Sequence, residues 1–285
     1  MLPADTANLL PGRRPSLSMG KVVRLYWAFA RVGFVNTLAY RLRYFTGIVT
    51  YFIYVSVYYF IWKAIYEHSV SIEGFDFAHL LTYIGVGWII RSFYFNNIDQ
   101  DLAYQVMEGR LAMDLIKPVN IQMMYVARAA GESVFRLALL TIPTAVVLFL
   151  VYPLRLPASL GHAGAFLVSV SLSFLIVAAI NFAVGTFALR LQSILGLLRA
   201  KFFLLELFSG LLLPMSFFPH VVQKILDLLP FQYISYVPML IYLGKLNGGG
   251  LARAIAIQIF WVAILLALGD GLWRWSTRKV IIQGG

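Results

Sequence analysis

Six apolar blocks, each close to the length that crosses a bilayer, occupy most of this chain: about 45–65, 80–98, 134–151, 163–189, 202–218 and 251–273. A helix rises about 1.5 Å per residue, so about 20 apolar residues cover the ~30 Å hydrocarbon core. None of the blocks has the one-sided pattern of an amphipathic helix in a soluble protein. Charged residues are 12% of the chain and hydrophobic ones 61%, whereas a soluble domain carries about 25% charged residues. The sequence therefore reads as an all-α integral membrane protein with six transmembrane helices. It divides into a flexible cytoplasmic tail over 1–20, an interfacial helix over 21–43 and the six-span domain over 44–285.

The formal net charge of +11 raises nucleic acid as a partner, and its distribution argues against it. With the amino terminus placed inside, 17 of the 23 Lys and Arg fall on inside segments, five fall outside, and Arg91 lies within a span. That bias sets topology, with both termini cytoplasmic, and the expected setting is the bacterial inner membrane. No cysteine is present, so neither disulfides nor thiolate metal sites exist. The first eighteen residues hold prolines and arginines but no apolar core of a signal peptide, and Met19 is an alternative start.

From Lys21 to Arg43 the chain lacks proline, and Lys21, Arg24 and Arg31 share one face of a helix among Val22, Leu25, Trp27 and Phe29. Such a helix suits the cytoplasmic interface. The longest inside connection follows the second span. Asp99–Glu108 is expected as a helix ended by Gly109, Pro118 interrupts the next piece, and Asn120 is placed to cap the helix entering the third span. After the fifth block, Pro214, Pro219, Pro230 and Pro238 punctuate an apolar outer stretch. Two short helices, about 221–229 and 234–243, fit between them, too short to cross and expected to form a re-entrant hairpin.

Material for catalysis is scarce. His68, His79, His162 and His220 all fall near the outer face with no metal-binding spacing, and Gly248–Gly250 lacks the lysine of a phosphate loop. The chain is not expected to be an enzyme or to hold a metal or ATP itself. Three ionisable residues lie within spans: Arg91, Glu206 and Asp270. Charges in the bilayer face protein or water. Arg91 and Glu206 lie at matching depths, so a pair between the second and fifth spans is expected, serving either as a fastener or in the path. Asp270 has Arg274 one turn later and is expected to pair with it.

Two stretches carry a family resemblance. One is Met107-Glu108-Gly109-Arg110-Leu111 with Asp114-Leu115-Ile116-Lys117-Pro118-Val119; the other is Leu213-Pro214-Met215-Ser216-Phe217-Phe218-Pro219, then Leu229-Pro230-Phe231, Pro238 and Tyr242-Leu243-Gly244. In their order and placement the chain resembles the membrane subunit of a type-2 ATP-binding-cassette exporter, most of all the drug-export-like branch. The resemblance implies a dimer, with a second copy or a paralogue, each subunit bound to a cytoplasmic ATPase that carries ATP and Mg. It implies a coupling helix between spans two and three, with Gly109, Arg110, Asp114, Lys117 and Pro118 at the ATPase. It places Arg91, Asn96, Phe203 and Glu206 along the path, and Pro214, Phe218, Pro219, Pro230, Phe231 and Pro238 at an outer gate. The charged Arg91–Glu206 level is not a hallmark of that family.

The expected function is a permease subunit exporting an amphiphilic, lipid-like or drug-like molecule. Two alternatives stand beside it: a secondary transporter or channel driven by an ion gradient, and a lipid-modifying membrane enzyme with His220 or His68 as base. The first needs broken helices and buried carboxylates at the midplane, and the second lacks a nucleophile or metal.

Overall fold

The computed structural model describes residues 19–38, 42–117, 119–191 and 194–278. The tail expected over 1–20 falls outside them save for Met19 and Gly20, and so does Pro118. Among the described residues all regular elements are helical, apart from an isolated bridge between Ile72 and Phe75.

Helix α3 (Phe77–Tyr94) is the axis of the bundle. Every residue from Leu80 to Ile90 is buried, so the helix has no face left for solvent or lipid. Asp76 starts it by accepting a 2.7 Å hydrogen bond from the His79 amide. Against it lies α2 (Leu42–Tyr66), which buries only the seam Tyr51, Val55 and Trp62, at steps of four and seven residues. The remaining apolar residues of α2, among them Val49, Ile53, Val57 and Phe60, are exposed.

The expected second span over 80–98 is shortened at its end. Helix α3 stops at Tyr94, Phe95 is extended, and a new helix, α4 (Ile98–Met107), starts three residues later. Helix α4 ends as expected before Gly109, whose φ is +68°, and a five-residue helix α5 (Leu111–Leu115) follows. The Asn120 side chain accepts from the Met123 amide at 3.0 Å and so begins α6 (Ile121–Arg136).

Helix α6 runs on through a π-turn, Leu137–Thr141, into α7 (Ile142–Val151), much longer than the block expected over 134–151. Proline 143 explains the π-turn. A proline ring collides with the carbonyl four residues earlier, here that of Leu139, and one wider turn moves that carbonyl aside. The Ile142 amide accordingly bonds the Leu137 carbonyl, five residues back.

The basic helix expected near the amino terminus is α1 (Met19–Leu38), and it lies along α6. The contact is between backbones. A Cβ on Gly33 would stand 2.1 Å from the Arg128 carbonyl oxygen, and one on Gly131 would stand 1.8 Å from that of Ala30. Gly131→Ala is therefore expected to push the two helices apart and cost about 1–3 kcal/mol. A thermal unfolding midpoint unchanged from the parent would show that the helices are not so closely apposed.

Helices α8 (Leu160–Gly185), extended by a 3-10 turn at Thr186–Leu189, and α12 (Gly248–Thr277) form the other side. Between them Gln258, fully buried, accepts from Ser169 Oγ at 2.8 Å and donates to the Tyr233 carbonyl at 2.8 Å. The fifth block is where the structure departs furthest from expectation. Helix α9 (Leu195–Phe208) begins and ends earlier than 202–218. Gly210 turns the chain with φ +81°, and a Cβ there would meet Tyr236 Cβ at 2.8 Å. Beyond it come a 3-10 turn (Met215–Phe217), α10 (His220–Asp227), a second 3-10 turn (Phe231–Tyr233) and α11 (Tyr236–Tyr242). These supply the two short helices expected between the prolines.

Among the described residues four helical runs are long and apolar enough to cross a membrane: Tyr44–Tyr66, Ile121–Val151, Leu160–Leu189 and Gly248–Thr277. Helices α3 and α9, expected as the second and fifth spans, fall outside that set. Fourteen residues of α9 rise about 21 Å, and α3 carries Arg91 near its end.

Candidate functional site

Where α2, α3, α6 and α9 meet, with α1 and α4 at the edge, they line a half-open cavity of about 660 Å³. Its walls mix rings with charges: Tyr51, Tyr54, Trp88, Phe95 and Phe202 stand beside Arg91, Arg136, Glu132 and Glu206. Tyr54 and Trp88 are stacked with centroids 4.6 Å apart.

The expected Arg91–Glu206 pair forms. Arg91 Nε donates to Glu206 Oε1 at 2.7 Å, Nη2 donates to the same oxygen, and Nη1 donates to the Tyr51 hydroxyl at 3.0 Å. The guanidinium lies over Phe95 at 4.9 Å, Trp88 at 5.4 Å and Phe202 at 5.6 Å, so rings replace the water it has lost. Phe203 does not join this box. It is exposed on the next position of α9, and its neighbour Phe202 provides the ring.

Asn96 is buried outside the cavity, in a polar chain that the sequence reading did not anticipate. Asn181 on α8 donates to the Asn96 carbonyl at 2.7 Å and to its Oδ1 at 3.0 Å. Lys201 on α9 donates to Asn181 Oδ1 at 2.7 Å and to Asp99 Oδ2, at the start of α4, at 2.6 Å. The Asp99 side chain is 2% exposed. Helix α9 otherwise buries only Leu198, so polar ties hold it: Lys201 at its middle and Glu206 near its end. Asn181 was the visible clue, a lone Asn in the apolar block 163–189.

A second cavity of about 640 Å³ lies toward α4 and α5, lined by Tyr104, Glu108, Arg110 and Arg128. Asn36, Asn97, Asp101 and Glu132 line both cavities, so the two adjoin.

The segment expected to meet the ATPase is bound inward by its own charges. Asp114, 7% exposed, accepts from Lys117 Nζ at 2.5 Å and from the Tyr125 hydroxyl at 3.2 Å, and Arg128 Nη2 stands 3.5 Å away. Arg110 pairs with Glu108. Met107, Met113 and Ile116 are exposed beside that pair, which is itself exposed. Asp270 and Arg274 pair at 2.6 Å as expected.

At the other end, Pro214 leads the 3-10 turn and Pro219 leads α10. Phe217 contacts Trp62 and Phe75, and Phe231 contacts Phe208. Pro238 is buried within α11, while Phe218 and Pro230 sit at the turns that frame α10. Among the described residues no group of His, Asp and Glu is arranged to hold a metal ion.

An all-helical integral membrane protein with a polar, ring-walled cavity inside the bundle has the makings of a transport subunit. Residues 52–284 match the family model described as ABC-2 family transporter protein, and the chain belongs to that family, the membrane part of ABC transporters. No curated protein matches the chain.

Proposed function

We propose that this chain is the permease subunit of an ATP-driven exporter for an amphiphilic cargo. In this reading α3 and α9 complete a six-span bundle with the four long helices. The α4–α5 end faces the cytoplasm, and α1 lies at that interface with Val23 and Trp27 toward lipid. A separate ATPase subunit, carrying ATP and Mg, docks on α5. The exposed apolar faces of α2 and α9, including Ile53, Val57 and Phe203, are covered by a second permease copy or a paralogue. The prolines and rings around α10 and α11 form the outer gate, and the Arg91 cavity belongs to the path.

The observation that carries this reading is the Lys201–Asp99 tie. Helix α4 leads directly into the exposed tip of the connection, and the ion pair joins α4 to α9, the least packed helix of the cavity wall. A push on the tip from a partner thus has a rigid route to the cavity. Movement of α9 would then exchange the contacts of Glu206.

The test is co-purification with the neighbouring ATPase in mild detergent. Met113→Glu together with Ile116→Glu is expected to reduce recovery of the complex at least tenfold, because an apolar docking surface would then carry two charges. Deleting 109–118 is expected to abolish cargo-stimulated ATP hydrolysis. A complex and a coupled activity that survive both changes would show that the ATPase engages elsewhere. Transport that runs without nucleotide would favour the ion-gradient alternative.

A further inference from the structure

The cavity contains a second arginine, one turn after Glu132, that forms no ion pair within 4 Å among the described residues. Arg136 closes α6 immediately before the π-turn, is 8% exposed, and lines the cavity. Its only hydrogen bond among the described residues runs from Nη2 to Ser133 Oγ at 3.0 Å. Its Nε is buried with no partner. A buried donor without a partner is destabilising, and a guanidinium presents a planar fork suited to an oxyanion.

The other charges in the cavity are otherwise placed. Glu206 is committed to Arg91. Glu132, one turn before Arg136, and Asp101 stand where the two cavities adjoin, since both line each of them, whereas Arg136 lines only the inner one. Asp101 is at an exposed position of α4. Beyond the guanidinium the walls are rings, Tyr51, Tyr54 and Trp88 among them.

We infer that Arg136 is a binding residue for an oxyanion, phosphate or carboxylate, on the head of an amphiphile whose apolar part lies against these rings. This rests on the reading of the cavity as the cargo path and narrows the cargo to an anionic amphiphile.

Ligand binding to the full chain alone, in uncharged dodecyl maltoside, separates the two claims, because docking of the ATPase plays no part in it. The probes are dodecyl phosphate, dodecyltrimethylammonium and inorganic phosphate, titrated calorimetrically. Dodecyl phosphate is expected to bind at least tenfold tighter than either of the others. Arg136→Gln is expected to remove most of that preference and Arg136→Lys to retain it within about threefold. Thr50→Asp, which adds a carboxylate to an exposed position of the same wall, is expected to weaken dodecyl phosphate at least fivefold and keeps the test decisive should Arg136→Gln not fold. Equal or tighter binding of the ammonium probe, or insensitivity to both Arg136→Gln and Thr50→Asp, would overturn the assignment. Inorganic phosphate matching dodecyl phosphate would overturn the amphiphile and leave a site for a free anion. Loss of anion preference with ATPase assembly intact would sink this inference and spare the permease reading.

Discussion

Lys201→Met is expected to abolish coupled transport and to lower the thermal midpoint more than any other single change in α9. The substitution keeps the length of the side chain and removes its charge, which leaves Asp99 at 2% exposure with no cation beside it. Removing one partner of a buried pair costs about 3–5 kcal/mol, because the other charge stays behind uncompensated. Asn181 also loses the donor at its Oδ1. Two further variants separate stability from transmission. Asp99→Asn with Lys201→Met removes both charges and is expected to regain most of the stability but little of the transport, since α4 and α9 are then no longer tied. Exchanging the two, Asp99→Lys with Lys201→Asp, is expected to recover part of both. If the neutral double variant transports like the parent, the pair only fastens two helices, and the proposed route from the connection to the cavity is wrong.

The second large effect is expected at the other tie. Arg91→Ala leaves Glu206 facing the cavity without its two hydrogen bonds and removes the cation from among Trp88, Phe95 and Phe202. Glu206→Ala leaves the guanidinium with the Tyr51 hydroxyl alone. Both side chains keep some access to the cavity, at 13% and 21% exposure, so the loss falls below that of a dry pair, about 2–3 kcal/mol for each single change. The double change is expected to cost clearly less than the sum, with a coupling of about 1–2 kcal/mol. Chemical unfolding in detergent measures this directly. Additive losses would mean that the two side chains do not meet in the working protein.

Several features were legible because they depend on neighbours in the chain. The ending of α4 before Gly109, the cap at Asn120 and the Asp270–Arg274 pair are all one-turn relations, and each forms as read. The Arg91–Glu206 pair was legible for another reason. A charge in an apolar block must find a partner, few partners were on offer, and matching depth selected one. The extent of α9 was not legible, since the block 202–218 stays largely apolar on both sides of Ser209 and Gly210. What ends the helix is Gly210 against Tyr236, a contact between positions far apart in sequence. The burial of Lys201 and Arg136 was not legible either. Both read as ordinary basic residues of cytoplasmic segments, because charge counting uses only their position along the chain.

The sequence by itself determined a lipid-embedded, all-helical chain, the order of its elements and its two most conspicuous charges. Those follow from hydropathy and local spacing, which act over a turn or a bilayer's width. Only the tertiary structure decided that α1 lies on α6 through two glycines, that Asp99 reaches Lys201 by way of no neighbour in sequence, and that Arg136 turns into a cavity rather than toward water. Burial and pairing of a charge depend on which helix stands opposite, and that is a property of the packed bundle.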